Sequence, residues 1–142
     1  MRNSSIIAAG LVMALSAVSA AAFAHGAEKH KTAPANAQMQ RLHDMMPIYS
    51  SALANLEQAV EKRDVAAVEA ETGRMLATIP DLKKSRPHKN LKKLKTFREI
   101  AAGLERDLKE VEQFAGISDY DKAKTALNKV EVRCGECHVK FR

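Results

Sequence analysis

The segment Tyr120–Arg142, reading YDKAKTALNKVEVRCGECHVKFR, decides the fold. Its positions Tyr120, Ala123, Leu127, Val130, Cys134, Cys137 and Phe141 alternate spacings of three and four, the pattern of a helix that turns one face to a core. Ser118-Asp119 just before it supplies a helix-start signal. The two cysteines continue the inward face, and His138 stands one position around the helix from it. Whatever these cysteines carry is therefore expected against the interior.

Cys134-Gly135-Glu136-Cys137-His138 is the Cys-x-x-Cys-His pattern by which haem is attached covalently. Two thiols at this spacing can each add to a vinyl group of one porphyrin, and the adjacent imidazole is then the natural proximal iron ligand. Three other readings compete. A thioredoxin-like dithiol belongs near a helix start in a βαβ pattern, and no strand-like alternation occurs in this chain. A structural zinc site wants four ligands, whereas only Cys134, Cys137 and His138 cluster. A plain structural disulfide between neighbouring cysteines is the third. Haem attachment is the expected chemistry, provided that the chain is exported.

The N-terminus meets that condition. Arg2 precedes an apolar run from Ile6 to Phe23, and Ala22-Phe23-Ala24 fits a small-x-small cleavage site, which together predict a secretory signal peptide over residues 1–24. A membrane anchor is the competing reading, opposed by the alanine-rich end and the cleavage pattern. No other segment is long and apolar enough to span a membrane, so the chain is expected to be periplasmic and not transmembrane. The formal net charge is +6, one unit less once Arg2 is removed. Export makes nucleic acid an unsuitable partner for this basic chain. With both cysteines committed to the motif, no disulfide framework remains, and a hydrophobic core must hold the fold.

Working back from the last helix, residues 25–37 lack apolar periodicity and read as a flexible lead-in, with His25 and His30 as solvated tail residues. The folded domain is expected over residues 38–142. Leu42, Met46, Tyr49, Leu53, Leu56 and Val60 form the first stripe. Pro47 interrupts it, so either the helix kinks there or Asp44 caps it and Pro47 falls in the first turn. Val65, Val68, Thr72, Met75 and Ile79 form a second, short stripe, with Asp64 as N-cap and Pro80 after its last turn. Asp81 to Asn90 reads as an exposed basic loop. Leu94, Phe97, Ala101, Leu104, Leu108 and Val111 form the third stripe, and Gly116 supplies its stop. Four such faces are buried most simply in an all-α, antiparallel up-down-up-down four-helix bundle, with haem filling one end.

The chain resembles the class II c-type cytochromes, comprising cytochrome c prime and its low-spin, methionine-ligated relatives of the cytochrome c-556 type. The resemblance rests on the signal peptide, the four helical segments and the C-terminal Cys134-Gly135-Glu136-Cys137-His138, followed by Phe141 and Arg142. It implies one covalent haem c, with thioethers from Cys134 and Cys137, His138 as proximal iron ligand and Arg142 close to the haem. An alternative role for Arg142 is to complement the helix dipole. It also implies a sixth iron position that a first-helix methionine fills or that stays open. Met46 continues the stripe with Tyr49 and Leu53 and is favoured; Met45, on the flank with Ala52, is the alternative, and Met39 and Met75 are weaker candidates.

A thioether ligand stabilises the reduced iron and suits outer-sphere electron transfer. The expected function is a periplasmic carrier of single electrons rather than an enzyme. The alternative is a five-coordinate, cytochrome c prime-like protein that binds nitric oxide or carbon monoxide. Peroxidase chemistry would need distal acid–base groups, and His43, the one nearby histidine, reads as solvated. The basic run Lys83–Arg98, which includes Lys92, Lys93 and Lys95, is expected to dock an acidic redox partner or rest on an anionic membrane surface, or otherwise to be a solvated face. Relatives often form homodimers through the first two helices; the surface pattern here does not decide that.

Overall fold

The computed structural model describes residues 37–142. The expected signal peptide of residues 1–24 and all but the last residue of the lead-in lie outside the described residues. Four α-helices account for most of the rest: α1 (Ala37–Lys62), α2 (Val65–Lys84), α3 (Leu94–Gly116) and α4 (Tyr120–Phe141), with one 3-10 turn, Leu91–Lys93, ahead of α3. No strand occurs among the described residues, and no described helix is long and apolar enough to cross a membrane.

Side-chain partners give the helix directions. Between α3 and α4, Phe97 meets Phe141, Asp107 meets Arg133, and Glu110 meets Lys129. One helix is climbed as the other is descended, so the pair is antiparallel. The same holds for α1 and α2, where Tyr49 bonds Thr78 and Asn55 bonds Glu71, and for α2 and α3, where Thr72 reaches Glu112 and Lys83 pairs with Glu105. The α3–α4 contact is the most extensive of the four, followed by α1–α2 and α2–α3, and α1 touches α4 least.

The core is built from Leu56, Val68, Met75, Ile79, Phe97, Leu108, Val111 and Val130, all essentially inaccessible to solvent. At about 1.5–3 kcal/mol for each large apolar side chain buried, this cluster is the main force closing the bundle. The stripes of α3 and α4 behave as their spacing predicts. In α1 the most buried arc is instead Met45, Tyr49, Ala52, Leu56 and Ala59, while Leu42, Met46 and Leu53 are half-buried.

Several local expectations need correction. Helix α1 begins at Ala37, so Asp44 is not its N-cap; it accepts a hydrogen bond from Gln40 Nε2 at 2.9 Å, and Pro47 lies inside the helix. The proline is exposed, so the carbonyl it leaves without a helical donor is near water. Pro80 does not end α2 either. The helix runs on to Lys84, which buries Leu82, and stops at Ser85, whose backbone is extended (φ −69°, ψ 161°) and whose Oγ donates to Asp81 O at 2.8 Å. Arg86-Pro87 follows, and a residue before proline is steered away from helical geometry. The segment Asp81–Asn90 is thus half helix, and Leu82, Ser85 and Pro87 are buried while Lys84, Arg86 and Lys89 are exposed.

The caps follow the sequence more closely. Asp64 Oδ1 accepts from Ala67 N at 3.0 Å and Asp119 Oδ1 from Lys122 N at 3.2 Å, each satisfying a donor that the first turn cannot. The left-handed residue after α3 is Ser118, with φ 60°, and not Gly116. Arg63 and Asn90 take the same conformation at the other two connections.

Candidate functional site

A cavity of about 740 Å³ lies between the first half of α1 and the last half of α4. Met46, Cys134, Cys137, His138 and Arg142 all line it, so five residues singled out by the sequence share one space. Helix α1 contributes Leu42, Tyr49 and Leu53 as well, α2 contributes Leu82, and α3 adds Phe97, Ile100 and Leu104. The volume falls in the range of sites that enclose a cofactor-sized ligand, and most of its wall is apolar.

Helical geometry explains the convergence. Cys134, Cys137, His138 and Phe141 lie three or four residues apart on α4 and so project from one side. Phe141 is buried edge-on against Phe97, with ring centroids 5.3 Å apart, which fixes the end of α4 against the start of α3. Both cysteines are free and half-buried. Burial pushes the Cys137 thiol up to about 11, with Cys134 adding to the effect, and burial followed by Glu131 raises Cys134. Both therefore stay protonated at neutral pH. His138 is exposed although its ring borders the cavity, and Arg142 closes the helix through its N–H to His138 O at 3.2 Å.

The two first-helix methionines part company. Met46 is half-buried and lines the cavity, whereas Met45 is 6% exposed, belongs to the core cluster and is absent from the cavity wall. Met75 is wholly in the core. Tyr49, beside Met46 on the wall, is hydrogen-bonded to Thr78 Oγ1 at 2.7 Å, and burial lifts its phenol to about 12. It is a neutral hydroxyl at physiological pH.

Sequence reading missed several residues of this site. His43 is exposed, as expected, but it is not isolated: its Nε2 lies 2.9 Å from Nε2 of His88, and both line the cavity. His88 sits in the segment Ser85–Asn90, which is bound to the end of α4 by Asn90 Nδ2 donating to Lys140 O at 2.6 Å and by Lys89 N donating to Phe141 O at 3.4 Å. That segment forms a wall of the cavity through Pro87 and His88. Arg133 also borders the cavity. Its Nε donates to buried Asp107 at 3.0 Å, and its Nη1 donates to Glu136 at 3.2 Å. Gly103 makes this crossing feasible, since a Cβ there would stand 2.9 Å from Arg133 Nε. A signal for it existed: Asp107 falls within the apolar arc of α3, between Leu104 and Leu108, and a buried acid calls for a cation opposite.

Among the described residues no group of three or more His, Cys, Asp or Glu side chains is arranged to hold a metal ion alone. Cys134, Cys137 and His138 instead border an apolar space large enough for a macrocycle, with a thioether on the opposing helix. Two thiols for covalent attachment, one imidazole and one methionine are a donor set that fits haem c. Comparison with protein families, with curated proteins and with solved structures finds no match to this chain.

Proposed function

We propose that this chain carries one covalently attached haem c in the α1–α4 cavity and serves as a periplasmic carrier of single electrons. One observation carries the reading: Cys134, Cys137 and His138 border the same apolar cavity as Met46, from opposite helices. Cys134 and Cys137 would hold the group by thioethers, His138 would be the proximal iron ligand and Met46, rather than core-facing Met45, the distal one. When bound, the haem supplies an iron that cycles between two oxidation states by one electron. The apolar lining of Leu42, Leu53, Leu82, Ile100 and Leu104 would exclude water from the part of the group it covers, and a methionine ligand favours the reduced state. Arg142, on the cavity wall, is placed to counter acidic groups on the cofactor edge.

The exposed Lys84, Arg86, Lys89, Lys92, Lys93, Lys95 and Arg98 lie within or beside the segment that walls the cavity. In this reading they steer an acidic redox partner toward the haem end, an effect that acts on association rate and weakens with salt. The residues 1–24 would direct export and be removed.

The test is the optical spectrum of the holoprotein, oxidised and reduced, with and without carbon monoxide, in wild type, Met46→Ala and Met45→Ala. Sharp low-spin bands, insensitive to carbon monoxide and lost only in Met46→Ala, are expected, with haem that stays on the denatured chain. A wild-type high-spin spectrum that shifts with carbon monoxide would assign gas binding instead. A chain matured with haem-attachment machinery that still acquires no covalent haem would overturn both.

A further inference from the structure

We infer that Asp107, Arg133 and Glu136 form an electrostatic element that holds net negative charge beside the two cysteines and lowers the reduction potential of the group attached there. This rests on the haem reading above. The Asp107 side chain is 2% exposed, on α3, in an otherwise apolar arc. A carboxylate so far from water stays charged only when paired, and Arg133 supplies the pairing by reaching across Gly103. The same guanidinium turns its Nη1 to Glu136, one of the two residues between the cysteines, and its hydrogen bond to Asp107 raises its own basicity. Two carboxylates thus meet the one guanidinium of Arg133, which lines the cavity. Arg106, the other cation near Asp107 at 3.6 Å, is largely exposed, where solvent and salt screen it.

The physical consequence has a sign. The oxidised iron carries one more positive charge than the reduced iron, so a fixed negative charge nearby stabilises the oxidised form and makes loss of the electron easier. A buried charge does this with little screening, and a half-exposed one with more. A mere clamp between α3 and α4 behaves differently: loosening it admits water, which also favours the oxidised form, so its loss moves the potential down.

The experiment is a spectroelectrochemical titration of the holoprotein with soluble mediators, which take up or give the one electron, in wild type, Asp107→Asn and Glu136→Gln at low and high salt. Asp107→Asn keeps the shape and an acceptor for Arg133 Nε. Its midpoint is expected to rise by on the order of tenfold in the redox equilibrium constant, which is about 59 mV for one electron, and to keep that rise in high salt. Glu136→Gln is expected to rise less and to lose the rise as salt is added. If Asp107→Asn fails to fold, the salt-sensitive rise in Glu136→Gln decides alone. Potentials unchanged or lowered in the folded variants overturn the proposal while leaving the haem reading intact; a protein with no haem band sinks both.

Discussion

Met45 and Met46 are neighbours in sequence with different employers. Of the stripe read from spacing, Leu42, Met46, Tyr49 and Leu53 line the cavity, while its Leu56 and Val60 pack the core together with Met45, Ala52 and Ala59, which the stripe did not include. Alanine is too small to stand out in a hydrophobic pattern, so the core arc was the less visible one. Met45→Ala should therefore cost about 2–4 kcal/mol of stability, measured by denaturant unfolding, with an unaltered haem spectrum. Met46→Ala should change the spectrum and cost less. The contrast separates packing from ligation at adjacent positions. Asp107 and Arg133 were half legible for another reason: an acid inside the apolar arc of α3 signals that a cation is needed, but the contact between α3 and α4 that makes Arg133 that cation is encoded by no local spacing.

For single elements, start signals proved more readable than stops. Asp64 and Asp119 cap through their own side chains within one turn, a purely local event. The stops depend on what the next residues can bury: α2 passes Pro80 because continuing brings Leu82 into the core, a gain that offsets the missing hydrogen bond. Asp64→Ala should cost about 1 kcal/mol, read as a lower urea midpoint at unchanged slope. At the end of α3 the left-handed position is held by Ser118, where a side chain strains the backbone by roughly 1 kcal/mol. Ser118→Gly should accordingly stabilise the protein, and a lowered midpoint would show that the serine side chain has a role of its own.

Across the whole molecule, charge joins helices that apolar packing has already brought together. Glu105 on α3 accepts from Lys109 and from Lys83 of α2, and these hydrogen bonds hold its carboxyl down to about 2 from the usual 4.5. A depressed acid stabilises the fold fully above the unfolded value and loses that contribution as the pH falls through about 2. Glu105→Gln should thus be less stable than wild type at pH 6, and the two should converge near pH 2 in thermal melts. The basic face makes a separate prediction: Lys92→Glu with Lys93→Glu should slow reduction by an acidic donor protein at low salt, with the difference vanishing at high salt. An unchanged rate would assign these lysines to solvation alone. The bundle class was legible because four amphipathic stripes leave few ways to hide four faces; the Pro87–His88 wall of the cavity was not, because its segment is rich in basic residues and reads as a solvated loop.

The α1–α4 joint is thinner than the α3–α4, α1–α2 and α2–α3 joints. Tyr120 Oη of α4 donates to Arg63 O, just past the end of α1, at 2.8 Å, and the first half of α1 shares a cavity wall with the last half of α4. An occupant bonded to α4 and touching α1 would reinforce that joint. On the haem reading the cofactor would then be a structural member of the bundle as well as its reactive part, and its loading would be visible far from any iron chemistry: amide hydrogens along Leu42–Leu53 should exchange faster in a Cys134→Ala, Cys137→Ala protein than in the loaded one, while those of α3 exchange alike in both.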